Sequence, residues 1–190
     1  SASLAGRNIG NDFTINKEHW RMYHGHRVPG FPAHPHRGFE TVTIVTKGVV
    51  DHSDSLGAAG RFGFGDVQWM TAGSGIIHQE MPKGNSKGQM LGFQLWANLP
   101  ASSKMMDPRY RSIKKNEIPI ITTQDGATVR IICGEMNGTK GPVQDVIAEP
   151  EYMDVELPAG KSFVHTIKEN HNIFAYVIDG EAYFDHIRKP

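Results

Sequence analysis

Residues 30–40 read GFPAHPHRGFE, and residues 69–80 read WMTAGSGIIHQE. The first stretch contains a His-x-His pair, and the second ends in a His-x-Glu pair. On a β-strand, residues i and i+2 point to the same face, so each strand can direct two side chains at one point. Two such strands facing each other would bring together three imidazoles and one carboxylate, from His34, His36, His78 and Glu80.

A ligand set of this kind suits iron, manganese, nickel, copper or zinc, because imidazole binds all of them and no thiolate favours a soft metal. His-x-His also occurs by chance on solvated strands. His24-x-His26 has no matching second pair, and we interpret it as a surface feature or a neighbour of the ligands. The main cluster differs, because Gly73 and Gly75 predict a turn that leads directly into the strand of His78. We therefore expect a metal site there.

The composition is that of an ordinary soluble domain. The 190 residues suffice for one large domain or two small ones, and 20 Lys and Arg balance 20 Asp and Glu, which gives no charge signature of direct nucleic-acid binding. No apolar run approaches the roughly 18 residues of a membrane span, and no signal-peptide core is present. Cys133 is the only cysteine, so we expect a buried thiol in a reducing, cytoplasmic compartment.

Short apolar runs separated by glycine and proline predict an all-β fold. The runs are rich in β-branched and aromatic residues, which favour strands. Strands are expected within 41–46, 67–70, 92–96, 129–133, 152–157 and 173–178. A short helical turn is expected within 101–110, where Pro108 limits its length, and 113–119 is expected to be an exposed linker between two halves.

Three runs carry a resemblance to a known family: HRVPGFPAHPHRGFETVTIV (26–45), DHSDSLGAAGRFGFGDVQWMTAGSGIIHQEMP (51–82) and GFQLWANLPASSKMMDPRY (92–110). Together they cover most of residues 26–112 and resemble the pirin family of the cupin superfamily. The resemblance implies a cupin β-barrel of the jelly-roll type. It also implies a bicupin that holds metal in its N-terminal barrel only.

Departures from the general cupin pattern point to pirins specifically. Gly30 lies one residue early, Gly48 lies one residue late, and Thr71 stands where the second cupin motif has proline. In pirins the carboxylate ligand follows the histidine of that second motif. The resemblance therefore implies that Glu80, and not Glu40, is the fourth ligand.

Glu40 has three interpretations. Its i+4 spacing after His36 predicts the same strand face. It could bind the metal as in other cupins, accept a hydrogen bond from a ligand histidine, or pair with Arg37 or another cation at the rim. We favour a role in support of the ligands.

The second half of the chain resembles a degenerate copy of the first. Aligning Gly180 with Gly48 superposes two strand-turn units and places no ligand-type pair opposite His34 and His36. His165 and His171 lie nearby without suitable partners and are expected to be structural or surface groups. We predict an N-terminal cupin domain at 1–112 and a degenerate domain at 113–190. The second barrel is expected to be incomplete, either because the protein is naturally truncated or because further residues belong to it.

The resemblance also implies a reaction. Pirins resemble flavonol dioxygenases such as quercetinase, so we expect one divalent metal, with Fe(II) favoured over Mn, Ni, Cu and Zn, and a small aromatic substrate that reacts with dioxygen. Glu80 would act as general base. The substrate would enter over a rim of apolar side chains unless these only pack the core: Phe31, Phe39, Trp69 and Met70.

Two alternatives to an enzyme stay open. Pirins also resemble metal- or redox-sensing regulators that bind a transcription factor or a metabolic enzyme, and Arg37, Lys47 and Arg61 could belong to such a partner surface. In the other alternative the metal serves stability alone.

Overall fold

The computed structural model describes residues 30–184, and their regular structure consists of strands and two single 3-10 turns, which confirms the all-β prediction. No helix in this range is long and apolar enough to cross a membrane. The strands are β1 (Phe31–His36), β2 (Phe39–Lys47), β3 (Val49–Asp54), β4 (Ala59–Gly63), β5 (Val67–Thr71), β6 (Ile76–Lys83), β7 (Leu91–Asn98), β8 (Arg109–Ile113), β9 (Ile120–Thr122), β10 (Thr128–Cys133), β11 (Glu135–Met136), β12 (Thr139–Lys140) and β13 (Tyr152–Glu156).

The first unit is built from two four-stranded antiparallel sheets, with strand orders β1-β6-β3-β4 and β7-β2-β5-β8. They pack face to face, and Val45 of β2 forms a buried cluster with Val50 and Phe62 of the other sheet. Strand β6 lies between β1 and β3, so its side chains can reach residues from both neighbours. This placement of β6 positions the site described below.

The second unit contains a three-stranded sheet, β13-β10-β9, and the β11-β12 hairpin. It shares a core with the first unit, because Val42 and Trp69 of the first unit belong to one buried cluster with Ile132 and Cys133 of the second. Strand β5 is therefore covered on both faces and buried at every position. Its two polar residues, Gln68 and Thr71, are buried with hydrogen-bond partners on Glu80 and Glu40. The division of the chain into 1–112 and 113–190 stays a prediction.

Three local predictions had different outcomes. Residues 173–178 form no strand, and Ile173 and Tyr176 are 71% and 73% exposed. The run has strand composition, yet isolated strands are not stable without partners. The expected short helical turn within 101–110 is confirmed as a 3-10 turn at Ala101–Ser103, and β8 follows it. The expected linker 113–119 is not wholly exposed, because Ile113 and Ile118 are buried in the shared core.

Candidate metal centre

Strand pairing brings the two sequence pairs side by side. In the antiparallel ladder of β1 and β6, His34 lies opposite His78, and on the other side of β6, Asp54 of β3 also lies opposite His78. His78 and Glu80 are both buried, as expected for the i and i+2 residues of one inward face. His24 and His26 lie outside the described residues.

The three histidine rings converge through their Nε2 atoms. His34 Nε2 lies 3.0 Å from His36 Nε2 and 3.0 Å from His78 Nε2. His34 Nδ1 donates a hydrogen bond to the Pro32 carbonyl at 2.8 Å, since a carbonyl oxygen can only accept. The Nε2 lone pair of neutral His34 therefore points at the other two rings, which is the orientation that a metal ligand needs.

The environment keeps His36 and His78 uncharged at neutral pH. Burial, together with the nearby His34 and His36, lowers the pKa of His78 to about 3. Burial and the neighbouring His34 also lower the pKa of His36 from its ordinary value. Metal binding requires neutral imidazole, so these two histidines are ready to bind a cation at neutral pH.

The Glu80 carboxylate is held by two glutamines. Gln68 Nε2 donates to Glu80 Oε1 at 3.0 Å, and Gln94 Nε2 donates to Glu80 Oε2 at 3.1 Å. The three predicted histidines form one set of potential ligands, whereas Glu80 falls in an adjoining set with His52 and His78. His78 is common to both sets, so the His/Glu cluster as a whole fits a divalent metal. The role of Glu80 as fourth ligand stays a prediction.

A buried group that was not predicted lies beside the ligands. His52 donates from Nε2 to Asp54 Oδ2 at 2.8 Å, and its ring stacks on Tyr110 with centroids 4.3 Å apart. Burial raises the pKa of Tyr110 to about 12. The i and i+2 spacing of His52 and Asp54 in DHSD is the same signal that identified the other pairs, and it was available in the sequence.

Glu40 does not support the ligands, so that prediction was wrong. Its Oε1 atom accepts hydrogen bonds from Thr71 Oγ1 at 2.6 Å and from Trp69 Nε1 at 3.2 Å, and among residues 30–184 no hydrogen bond joins it to a histidine. The chain turns at Gly38, between β1 and β2, so His36 and Glu40 lie on different strands. The i+4 count therefore does not place them on one strand face.

The residues of the predicted apolar rim differ in exposure. Trp69 and Met70 are fully buried in the core, whereas Phe31 is 57% exposed. Phe39, a predicted rim residue, is half-buried and lies next to the ligands together with the exposed Trp96, which was not predicted. Their ring centroids lie 4.7 Å apart and 5.1 and 5.5 Å from that of His36. We call Phe39 and Trp96 the aromatic ledge.

Groups that were considered for other roles have local partners. His165 pairs with Glu151 at 2.5 Å, as expected for a structural histidine. Arg61 pairs with Asp51, and Arg37 donates to the Met105 sulfur. Cys133 is buried, and burial raises the pKa of its thiol to about 11, in agreement with the expectation of an inert thiol.

Comparison with known proteins gives a consistent result. The family model described as Pirin matches residues 8–97. A pirin-like protein of Caulobacter vibrioides is 44% identical over 158 residues, which cover 83% of this chain and 57% of that protein. Pirin of Homo sapiens is 42% identical over 162 residues, covering 85% of this chain and 54% of the human protein.

Solved structures agree with the fold. A crystal structure of quercetin 2,3-dioxygenase from Acinetobacter baumannii matches with a TM-score of 0.55 and 43% identity, covering 61% of this chain and 42% of that one. The cupin fold is thereby confirmed. This chain spans about half the length of the curated relatives it matches.

Proposed function

We propose that this chain, which belongs to the pirin family, is part of a metal-dependent dioxygenase that cleaves a flavonol such as quercetin with dioxygen. The observation that carries the proposal is the convergence of His34, His36 and His78 through Nε2 atoms, with the Glu80 carboxylate close to His78. The crystallised quercetin 2,3-dioxygenase that this chain resembles supports the choice of substrate class. The buried free thiol of Cys133 supports a cytoplasmic location.

The residues present fit a single divalent transition metal, for which we propose Fe(II). Neutral imidazole nitrogens with a buried carboxylate beside them are compatible with iron, manganese, nickel, copper or zinc. When bound, such a metal would stabilise the negative charge of a flavonol oxygen and bring the flavonol and dioxygen together. His34, His36 and His78 would hold it, with Glu80 as the fourth ligand.

Glu80 is also the proposed general base. Both of its oxygens accept hydrogen bonds from glutamine amides, so the carboxylate is held in one orientation. As general base, Glu80 would take the hydroxyl proton of the flavonol and leave the substrate as an anion. Gln68 and Gln94 fix the direction in which that carboxylate points.

The aromatic ledge offers a place for a flat substrate. Trp96 is 61% exposed and its ring centroid lies 5.5 Å from that of His36, so a ligand that approaches the histidines can contact the indole. Offset stacking of aromatic rings contributes about 0.5–1.5 kcal/mol beyond area burial. A flavonol stacked there would have its polar edge near the ligands.

The proposal is tested by anaerobic reconstitution with Fe(II), followed by an oxygen-electrode assay with quercetin. Oxygen uptake with ring cleavage is expected in the parent protein and in the control His165→Ala, and it is expected to be lost in His34→Ala and Glu80→Ala. If the parent binds iron stoichiometrically and consumes no oxygen, the dioxygenase proposal fails for this chain. The regulatory alternative, metal- or redox-dependent binding of a transcription factor or metabolic enzyme, would then lead.

A further inference from the structure

A chain of hydrogen bonds connects the exposed aromatic ledge to the buried carboxylate. Trp96 Nε1 donates to Gln94 Oε1 at 2.8 Å, and Gln94 Nε2 donates to Glu80 Oε2 at 3.1 Å. Gln94 Nε2 also donates to Thr43 Oγ1 at 3.0 Å. Gln94 and Trp96 are i and i+2 residues of β7 and share a sheet face, which is why they can meet.

The chemistry of the three side chains determines which atom donates and which accepts in each of these hydrogen bonds. An indole N–H can only donate, and an ionised carboxylate can only accept. The Gln94 amide therefore has its oxygen toward Trp96 and its NH₂ group toward Glu80. Since the amide is anchored at both ends, it cannot turn without breaking one of the two bonds.

The connection to the surface exists on one side of Glu80 only. Gln68 binds the other carboxylate oxygen, but the Oε1 atom of Gln68 is buried and has no partner within the described part of the chain. Gln94, by contrast, ends at Trp96, which is 61% exposed. A ligand that contacts the ledge can thus affect the orientation of Glu80 through Gln94 and not through Gln68.

We propose that Gln94 and Trp96 are a positioning pair for Glu80: Trp96 anchors the Gln94 amide, and Gln94 orients the carboxylate. The inference rests on the proposed function in that Glu80 is the ligand and base there. One consequence is that a ligand that moves the Trp96 indole also alters the orientation of Glu80. Loss of the indole N–H removes one of the hydrogen bonds of the Gln94 amide and leaves the others. It is therefore expected to disturb the orientation of Glu80 less than loss of Gln94 itself.

The pair is tested in the cobalt-loaded protein, because Co(II) affinity and the visible d–d spectrum report on the ligand set without turnover. Gln94→Leu is expected to weaken Co(II) binding about tenfold, the typical effect of losing a group that orients a ligand, and to shift the spectrum. Trp96→Phe keeps the ring and deletes the donor, and it is expected to shift the same bands by less. The double variant is expected to match Gln94→Leu alone.

The matched control is Trp69→Phe, which deletes an indole N–H that is bound to Glu40 instead. It is expected to leave the cobalt spectrum unchanged. If Gln94→Leu does not fold, Gln94→Asn takes its place in the test, because it shortens the side chain and keeps the amide. Strictly additive effects of the two substitutions, or a parent-like spectrum in either Gln94 variant, would overturn the pairing.

A kinetic measurement separates this inference from the proposed function. In an active protein, Trp96→Phe is expected to lower kcat for quercetin with little change in KM, because stacking survives and only the carboxylate is misplaced. A rise in KM alone would contradict the pairing. If the parent shows no turnover, the proposed function fails, and the cobalt measurements still decide on the positioning pair.

Discussion

Gln68 and Trp69 are consecutive residues of β5, yet their side chains donate hydrogen bonds to two different buried carboxylates. Gln68 binds Glu80, and Trp69 binds Glu40. Neighbouring residues of a strand face opposite sides of their sheet. Glu80 is therefore held on the side of the histidines, and Glu40 on the side of the core shared with the second unit.

Alanine substitutions of the two carboxylates are predicted to have separate effects. Glu80→Ala is expected to weaken metal binding by at least about tenfold. Glu40→Ala is expected to leave metal affinity unchanged. It is expected to lower the free energy of unfolding by about 1–3 kcal/mol, because the buried donors of Thr71 and Trp69 lose their acceptor. Calorimetric metal titration and urea unfolding measure the two quantities. An equal loss of metal affinity in both variants would contradict this arrangement.

The metal-free protein is predicted to lose stability in acid through its histidines. The pKa of His78 falls from 6.5 to about 3 because of burial, and the pKa of His36 is also lowered. Below pH 6.5 the unfolded chain therefore binds protons that the folded chain does not, and the free energy of unfolding falls as pH decreases toward 3. Each such proton accounts for at most about 1.4 kcal/mol per pH unit.

Urea unfolding of the metal-free protein at several pH values below 6.5 checks this prediction. His78→Gln provides the comparison, because it removes the titrating group while it keeps a polar side chain. The slope of stability against pH is expected to be smaller in the variant. Identical slopes in parent and variant would show that His78 does not contribute.

Cys133 is predicted to be unreactive in the folded protein. It is buried in the core that both units share, and burial raises the pKa of its thiol to about 11, so almost no thiolate exists at neutral pH. A disulfide reagent is expected to modify it only after unfolding in denaturant. Rapid, complete modification of the native protein would refute this description of Cys133.

Features with a short repeat could be predicted from the sequence. The pairs His34-x-His36 and His78-x-Glu80 were recognisable because the side-chain period of a strand is two, and the strands did bring three rings together. Glu40 was misplaced because the turn at Gly38 separates it from the strand of His36. A count along the chain is valid only within one strand.

Contacts between distant strands could not be predicted. Gln94 and Trp96 have no local motif, and their role depends on β7 lying beside β2 and facing β6 across the barrel. Residues 173–178 illustrate the converse. Their composition favours a strand, but strand formation needs a partner that these residues lack within the described structure.

The most direct test of the account is the metal content of His78→Ala compared with that of the control His165→Ala, measured by elemental analysis after reconstitution with Fe(II). His78 is shared by both sets of potential ligands, whereas His165 pairs with Glu151. One iron per chain is predicted in the parent and in His165→Ala, and essentially none in His78→Ala. Retention of one iron per chain with parental affinity in His78→Ala would contradict the proposed metal centre.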